Sequence, residues 1–200
     1  MLIMRVRCLI ACYQASGNQR TMDTPITTPH GTVTIRSARE EDAPAYRELR
    51  LEALRNHPEA FSSDYAANLA KPLTFWIERL RFNSPDSAAM IYFAVHDQQL
   101  VGMCGITRTN SPKIRHSATI VGMYVQPDWR GFRIAGGLVT ACLDWARTQE
   151  VKIVKLAVVT TNTGAIRCYA RCGFQVYGIG PQALYYDSVF YDELLMARAI

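Results

Sequence analysis

The chain has 200 residues, 49% of them hydrophobic and 20% charged, the composition of one ordinary folded domain with a short appendage and not of a disordered chain. Lysine and arginine outnumber aspartate and glutamate 22 to 17, a net charge of +5. That favours anionic partners, but the basic residues are scattered, which argues against a nucleic-acid interface and leaves a merely solvated basic surface as the first reading and a phosphorylated small molecule as the second. No apolar run approaches the ~18 residues of a membrane helix.

The six cysteines include no C-x-x-C pair and no histidine at zinc spacing. They read as reduced thiols of a cytoplasmic protein without a metal.

At the start, Arg5 and Arg7 interrupt an apolar stretch and no cleavage site follows, so a secretory signal is disfavoured. Residues 14–32 are rich in Thr, Pro, Gly, Ser and Asn and read as a loose tail, with Met22 a candidate natural start. Residues 1–30 are therefore expected to form an extension and 31–200 the domain. Val33–Ser37 alternates as a half-buried strand does. Glu40–His57 reads as a helix with acidic residues in its first turn and Pro58 at its stop. Pro72–Arg81 predicts a second helix. Ala89–His96 and Leu100–Thr107 predict a hairpin turning at Asp97–Gln99. Ser117–Val125 predicts a strand, with a bulge at Gly122.

A glycine-rich loop then leads into a helix reaching about Gln149, whose Leu138, Cys142, Trp145 and Ala146 share one stripe. Val151–Val159 predicts a strand, so strand, helix and strand form one right-handed βαβ unit. Thr163–Cys172 predicts a helix stopped by Gly173. Strands near Phe174–Gly178 and Ser188–Arg198 close the chain. The sum is a mixed α/β sheet flanked by helices.

The loop Arg130-Gly-Phe-Arg-Ile-Ala-Gly-Gly137 has no G-K-[ST] and no G-x-G-x-x-G, which excludes a nucleoside-triphosphate loop and a dinucleotide fold. Its backbone N–H groups at a helix start, with the helix dipole behind them, suit a phosphate. A closely packed helix start that binds nothing is the alternative reading.

Two motifs in order carry a resemblance. Val125-Gln-Pro127 followed by Arg130-Gly-Phe-Arg133-Ile-Ala135 is similar to the Arg/Gln-x-x-Gly-x-Gly/Ala loop of the GNAT superfamily of acyl-CoA N-acyltransferases. Asn162, Ala165, Tyr169, Gly173 and Phe174 match its second signature, Asn-x-x-Ala-x-x-x-Tyr-x-x-x-Gly-Phe. Ile35-Arg-Ser-Ala38 with Asp42, and Tyr191-Asp-Glu-Leu-Leu-Met196, resemble its first and last elements, so the likeness spans about residues 33–198. It implies a largely antiparallel sheet with a central parallel βαβ unit. It also implies acetyl-CoA as co-substrate and direct acetyl transfer to an amine; the cysteine spacing, the scattered charge and the lack of a long apolar run add the expectation of no metal, nucleic acid or membrane. Dimers are common in such folds, so a homodimer is a further expectation.

By that resemblance the cofactor contacts are the backbone of Met123, Tyr124 and Val125, the loop Arg130, Gly131, Phe132, Arg133, Ile134, Ala135 and Gly136, and Asn162 and Tyr169. Tyr169 is the expected acid for the departing thiolate. Asn162 is read either as a contact to pantetheine amides or as a helix N-cap. Arg133 stands where the family usually has glycine. It either strains a left-handed position or pairs with a phosphate. The general base stays unassigned, since no carboxylate occurs from Ser117 to Val125. Glu52, Glu59, Asp64 and His116 are the groups on offer. Trp76, Phe61 and Tyr65 either line an acceptor groove or fill core, and Cys168 and Cys172 read as core. A CoA-binding regulatory module of the same fold without catalysis is the alternative function.

Overall fold

A computed structural model of the chain describes residues 23–81 and 87–200. The expected start at Met22 and the extension before it, with Cys8 and Cys12, lie outside the described residues. Eight strands form one sheet in the order β1-β2-β3-β4-β5-β6-β8-β7. They are β1 Thr24–Thr28, β2 Gly31–Ser37, β3 Ala89–His96, β4 Gln99–Arg108, β5 Ser117–Val125, β6 Ile153–Val159, β7 Gln175–Tyr186 and β8 Val189–Ala199. Every pairing is antiparallel except β5 with β6. That exception is forced by the helix α4, Ile134–Thr148, because two strands joined through a crossover helix lie parallel. The mixed sheet and its βαβ unit are as the sequence predicts.

Helices cover both faces. On one, α4 buries Ile134, Leu138, Val139, Cys142, Leu143, Trp145 and Ala146 against β2–β5. This includes all four residues of the predicted stripe. On the other, α1 (Ala43–Asn56) and α3 (Leu73–Arg81) enclose Tyr46, Leu49, Trp76, Leu80 and Phe93. A short helix, α2 (Tyr65–Leu69), lies between them, and α5 spans Thr163–Arg171.

Three elements differ from expectation. Residues 24–28, read as part of a loose tail, form β1 and pair with β2 from Thr24↔Ile35 to Thr28↔Gly31. Pro25 and the threonines look like loop in sequence, yet an edge strand tolerates a proline. Ile26 anchors the strand against α4, where a Cβ on Gly137 would come within 2.8 Å of its Cδ1. The expected helix from Glu40 opens as a 3-10 turn, Glu40–Asp42, before α1. There Asp42 accepts from Arg36 at 2.7 Å on both oxygens and from the Arg39 N–H. Finally, β7 runs to Tyr186 through two register shifts, past the expected end near Gly178.

Candidate functional site

The site begins where the sheet fails to close. β5 and β6 pair only from Ser117↔Ile153 to Thr119↔Lys155. Beyond those residues the two strands part, although β6 stays paired to β8 as far as Val159. Backbone donors and acceptors of β5 beyond Thr119 and of β6 beyond Lys155 therefore face a cleft instead of each other. Its volume is about 3000 Å³, and its walls run from the α4 side to the α1–α3 side. That exceeds the ~300–1,000 Å³ of a single small-ligand pocket and leaves room for two reactants entering from opposite faces. All twelve residues expected to bind the cofactor line this cleft.

The bulge in β5 sits at its centre. Met103 pairs with Tyr124 and Gly105 with Val121, so Cys104 opposes two residues, Gly122 and Met123. Gly122 takes φ +63°, a conformation open to glycine at little cost. The bulge lies where the sequence predicts it.

At the mouth of the cleft stands the start of α4. The first intrahelical acceptor is Arg133 O, which takes the Gly137 N–H. The N–H groups of Ile134, Ala135 and Gly136 are consequently left without a carbonyl in the helix. A Cβ added at Gly131 or Gly136 would meet nothing within 4 Å, so a ligand can approach the backbone there. Arg133 is the N-cap residue and adopts φ +65°, ψ 7°. The position is left-handed, so the side chain that replaces glycine is strained. It also stands exposed at the cleft mouth.

The loop is braced from the hairpin that carries β1. The His30 ring packs edge-on against Phe132 at 5.4 Å and Trp129 at 5.5 Å. Arg130 is turned away from the open N–H groups. Its Nε donates to Val125 O at 2.9 Å, its Nη2 lies 2.9 Å from His57 Nε2, and its own N–H bonds Pro127 O. It ties β5 to the end of α1. Val125 likewise has its carbonyl occupied. The Tyr124 hydroxyl donates to Glu52 at 2.8 Å, and burial, reinforced by that carboxylate, pushes it up to about 12.

From the opposite wall, α5 brings Tyr169. The N–H groups of Gly173 and Phe174 return to the carbonyls of Ala170 and Tyr169, a paired helix stop that fixes the Tyr169 backbone. Its ring is 6% exposed and lies 6.1 Å from that of Phe174. Burial, with neighbouring thiols, holds the phenol far above its ordinary value, so it remains an O–H donor at any working pH. Asn162 caps α5, its Oδ1 accepting from Ala165 N at 3.1 Å. The side-chain amide is still a donor on the cleft wall.

The base candidates separate. His116 lies at the far end of β5, six residues before the bulge, roughly 20 Å along a strand, and is not on the cleft wall. Asp64 caps α2, accepting from Ala67 N. Glu52 is held by Tyr124 and by Gln126 Nε2 at 2.8 Å and lies off the wall. Glu59 lines the cleft and pairs with His57 at 3.7 Å. Of the aromatic candidates only Phe61 reaches the cleft. Trp76 is 1% exposed and packs on Tyr46, and the Tyr65 hydroxyl is bonded by Arg55.

Three functional candidates escape the sequence. Glu193 of β8, opposite Val159 of β6 and Gly180 of β7, lines the cleft, and desolvation raises its carboxyl. Arg50 of α1 and Arg79 of α3 line the same wall. Nothing in their local sequence separates them from surface charges. Only the pairing of β8 between β6 and β7, and the packing of α1 on α3, bring them to the cleft. Among the described residues no group of three or more His, Cys, Asp or Glu could hold a metal, and no helix is long and apolar enough to cross a membrane.

Comparison with known proteins bears on this geometry. A profile described as the Acetyltransferase (GNAT) family matches residues 37–174. A mycothiol acetyltransferase of Brachybacterium faecium is 28% identical over 81% of this chain and 46% of its own length, so the chain spans about half of that relative. The L-amino acid N-acetyltransferase AaaT of Escherichia coli K12 is 26% identical over 83% of this chain and 97% of its own. The structure of yncA from Salmonella typhimurium, solved with its cofactor acetyl-CoA, superposes with a TM-score of 0.67 at 20% identity, over 84% of this chain and 93% of its own. At that identity the likeness establishes the fold.

Proposed function

The chain belongs to the GNAT acetyltransferase family, whose members are acyl-CoA-dependent transferases, and from that premise we propose that it transfers an acetyl group from acetyl-CoA directly to a primary amine of a small molecule or protein. The observation that carries the reading is the parting of β5 and β6 beside the open N–H groups at the start of α4. The pyrophosphate takes the N–H groups from Gly131 to Gly136, where the helix dipole adds roughly half a positive charge. The Arg133 guanidinium pairs with a phosphate oxygen at the rim. The pantetheine arm, which carries amides of its own, lies as a pseudo-strand between β5 and β6 and pairs with Met123 and the Asn162 amide.

In this reading the thioester sits at the bulge. The tetrahedral oxyanion takes a backbone N–H of β5, and Tyr169 donates its O–H to the sulfur as the thiolate leaves. Because burial raises the phenol, Tyr169 stabilises the charge as a hydrogen-bond donor more than it surrenders its proton. A lysine-like ammonium of pKa ~10.4 costs about 4.6 kcal/mol to deprotonate at pH 7. Glu193, desolvated on the wall, is the proposed base, directly or through one water. A carboxyl raised above its ordinary value is a stronger acceptor for that proton.

The two relatives are named for mycothiol and for L-amino acids, and these names do not agree on an acceptor. A cytoplasmic location is supported by four free cysteines among the described residues. The expected homodimer has one surface in its favour. Tyr177, Ile179, Tyr185 and Phe190 stand exposed on the β7–β8 hairpin, at the sheet's edge.

The test is calorimetry with acetyl-CoA followed by thiol release over an amine panel. Micromolar binding and thiol release dependent on amine are expected. Binding without release for any amine would replace the enzyme by the non-catalytic module.

A further inference from the structure

The α1–α3 wall of the cleft holds a cation with no counterion among the described residues. Arg50 Nη1 is buried and has no hydrogen-bond partner, and its guanidinium carbon lies 4.7 Å from the centre of the Phe61 ring. No carboxylate forms an ion pair with Arg50 among the described residues. The groups that act on it are Tyr46 and Arg79, and burial together with the like charge of Arg79 lowers its pKa against the pull of Tyr46. Arg79 itself donates to the Tyr46 hydroxyl at 3.1 Å.

Such an arrangement is costly. A guanidinium carries five donors in a fixed fork, and a buried donor left unmade costs more than a satisfied one returns. The fork is also placed beside the reacting centre, because Arg50 Nη1 stands 3.6 Å from where a Cβ on Gly122 would be. Gly122 is the bulge at which the thioester is put above.

We propose that the acceptor carries a carboxylate whose carbon is two bonds from its reacting amine nitrogen, and that Arg50 binds that carboxylate with Arg79 and Tyr46 completing the pocket; a free α-amino acid is the class that fits. The proposal rests on the acetyl-transfer reading and names its substrate. The unpaired cation beside the bulge repels the second ammonium of a diamine and is left without a partner by a peptide amino terminus, whose nearest carbonyl is an uncharged amide. Arg79 adds a second positive charge near the amine, which favours its neutral, attacking form.

The experiment uses the full chain with acetyl-CoA and pairs of acceptors, each L-amino acid beside its own carboxamide, with thiol release as the readout. The quantity is the acid-to-amide ratio of kcat/KM, which cancels any loss of folded enzyme and any difference in amine basicity between variants. Arg50→Gln is expected to lower that ratio roughly ten- to a hundredfold, the range of a charge-assisted pair. Arg50→Lys should fall between, keeping the charge and losing the fork. A ratio that Arg50→Gln leaves unchanged overturns the proposal while acetyl transfer stands.

A second arm is independent of turnover. Calorimetry measures N-acetyl-L-amino acids against their carboxamides on the same proteins. Tighter binding of the acid in the native chain, lost in Arg50→Gln, is expected. Equal binding of acid and amide, or no acid binding at all, overturns the proposal even where no amine is acetylated.

Discussion

Replacing Arg133 by glycine pits the stability of the chain against its affinity for cofactor. Arg133 holds φ +65° at the N-cap of α4. A left-handed residue with a Cβ costs about 1–2 kcal/mol, and glycine removes that cost. Glycine also loosens the unfolded chain, which returns roughly 0.4–1 kcal/mol. The balance is a gain of about 0.5–1 kcal/mol. For a domain of this size each kcal/mol moves Tm by roughly 2–4 °C, so scanning calorimetry should show a rise of about 1–4 °C. Binding goes the other way. Losing a guanidinium–phosphate pair should weaken acetyl-CoA roughly ten- to a hundredfold at low salt, with a smaller effect at high salt because the pair is exposed and screened. A fall in Tm would refute the backbone argument. Equal affinity at both salt concentrations would refute the phosphate contact and leave Arg133 as a strained residue only.

Tyr169→Phe keeps the ring against Phe174 and removes the donor, so kcat should fall about 10²-fold with Tm nearly unchanged; unaltered kcat would take Tyr169 out of the reaction. Glu193→Gln should lower kcat at least 10²-fold and abolish the acidic limb of the pH profile. Because desolvation raises this carboxyl, the limb in the native enzyme should lie above the ~4.3 of a free glutamate, activity rising as the group loses its proton. A limb that persists in Glu193→Gln would assign the base elsewhere. Burial would raise the Asp42 carboxyl, but hydrogen bonds from Arg36 and the Arg39 N–H outweigh it and hold it below its ordinary value. Its contribution is therefore complete above pH ~4 and is lost as pH falls through the folded value; Asp42→Asn should flatten acid unfolding in that window, and an unchanged curve would exclude the pair. A chain beginning at Gly31, compared with one beginning at Met22, loses the β1–β2 pairing and the packing of Ile26 on α4 as well as two aromatic contacts of His30 on Phe132 and Trp129, and those two contacts alone are worth about 1 kcal/mol each. Its Tm should drop by at least roughly 4–8 °C and acetyl-CoA binding should weaken; equal values would return residues 24–30 to the status of a tail.

The sequence alone determined the family and most of the frame. The stripe of α4, the asparagine cap and glycine stop of α5, the glycine bulge of β5 and the βαβ unit are local patterns, written within a turn of helix or a few residues of strand. Arg133 was legible too, because a bulky residue among loop glycines is a question about one φ angle. Tertiary structure decided the rest. β1 and the long β7 contain the proline and glycines of a loop, and only pairing partners and the packing of Ile26 on Gly137 hold them as strands. The roles of Arg130 and Glu52 follow from partners some 70 residues away, His57 and Tyr124. Arg50, Arg79 and Glu193 carry no local mark at all. Two come from helices packed on one face, and the third from the strand that inserts between β6 and β7. The chemistry of Arg50 and Glu193 comes from desolvation, which no spacing in the chain encodes and which exists only once the cleft has formed.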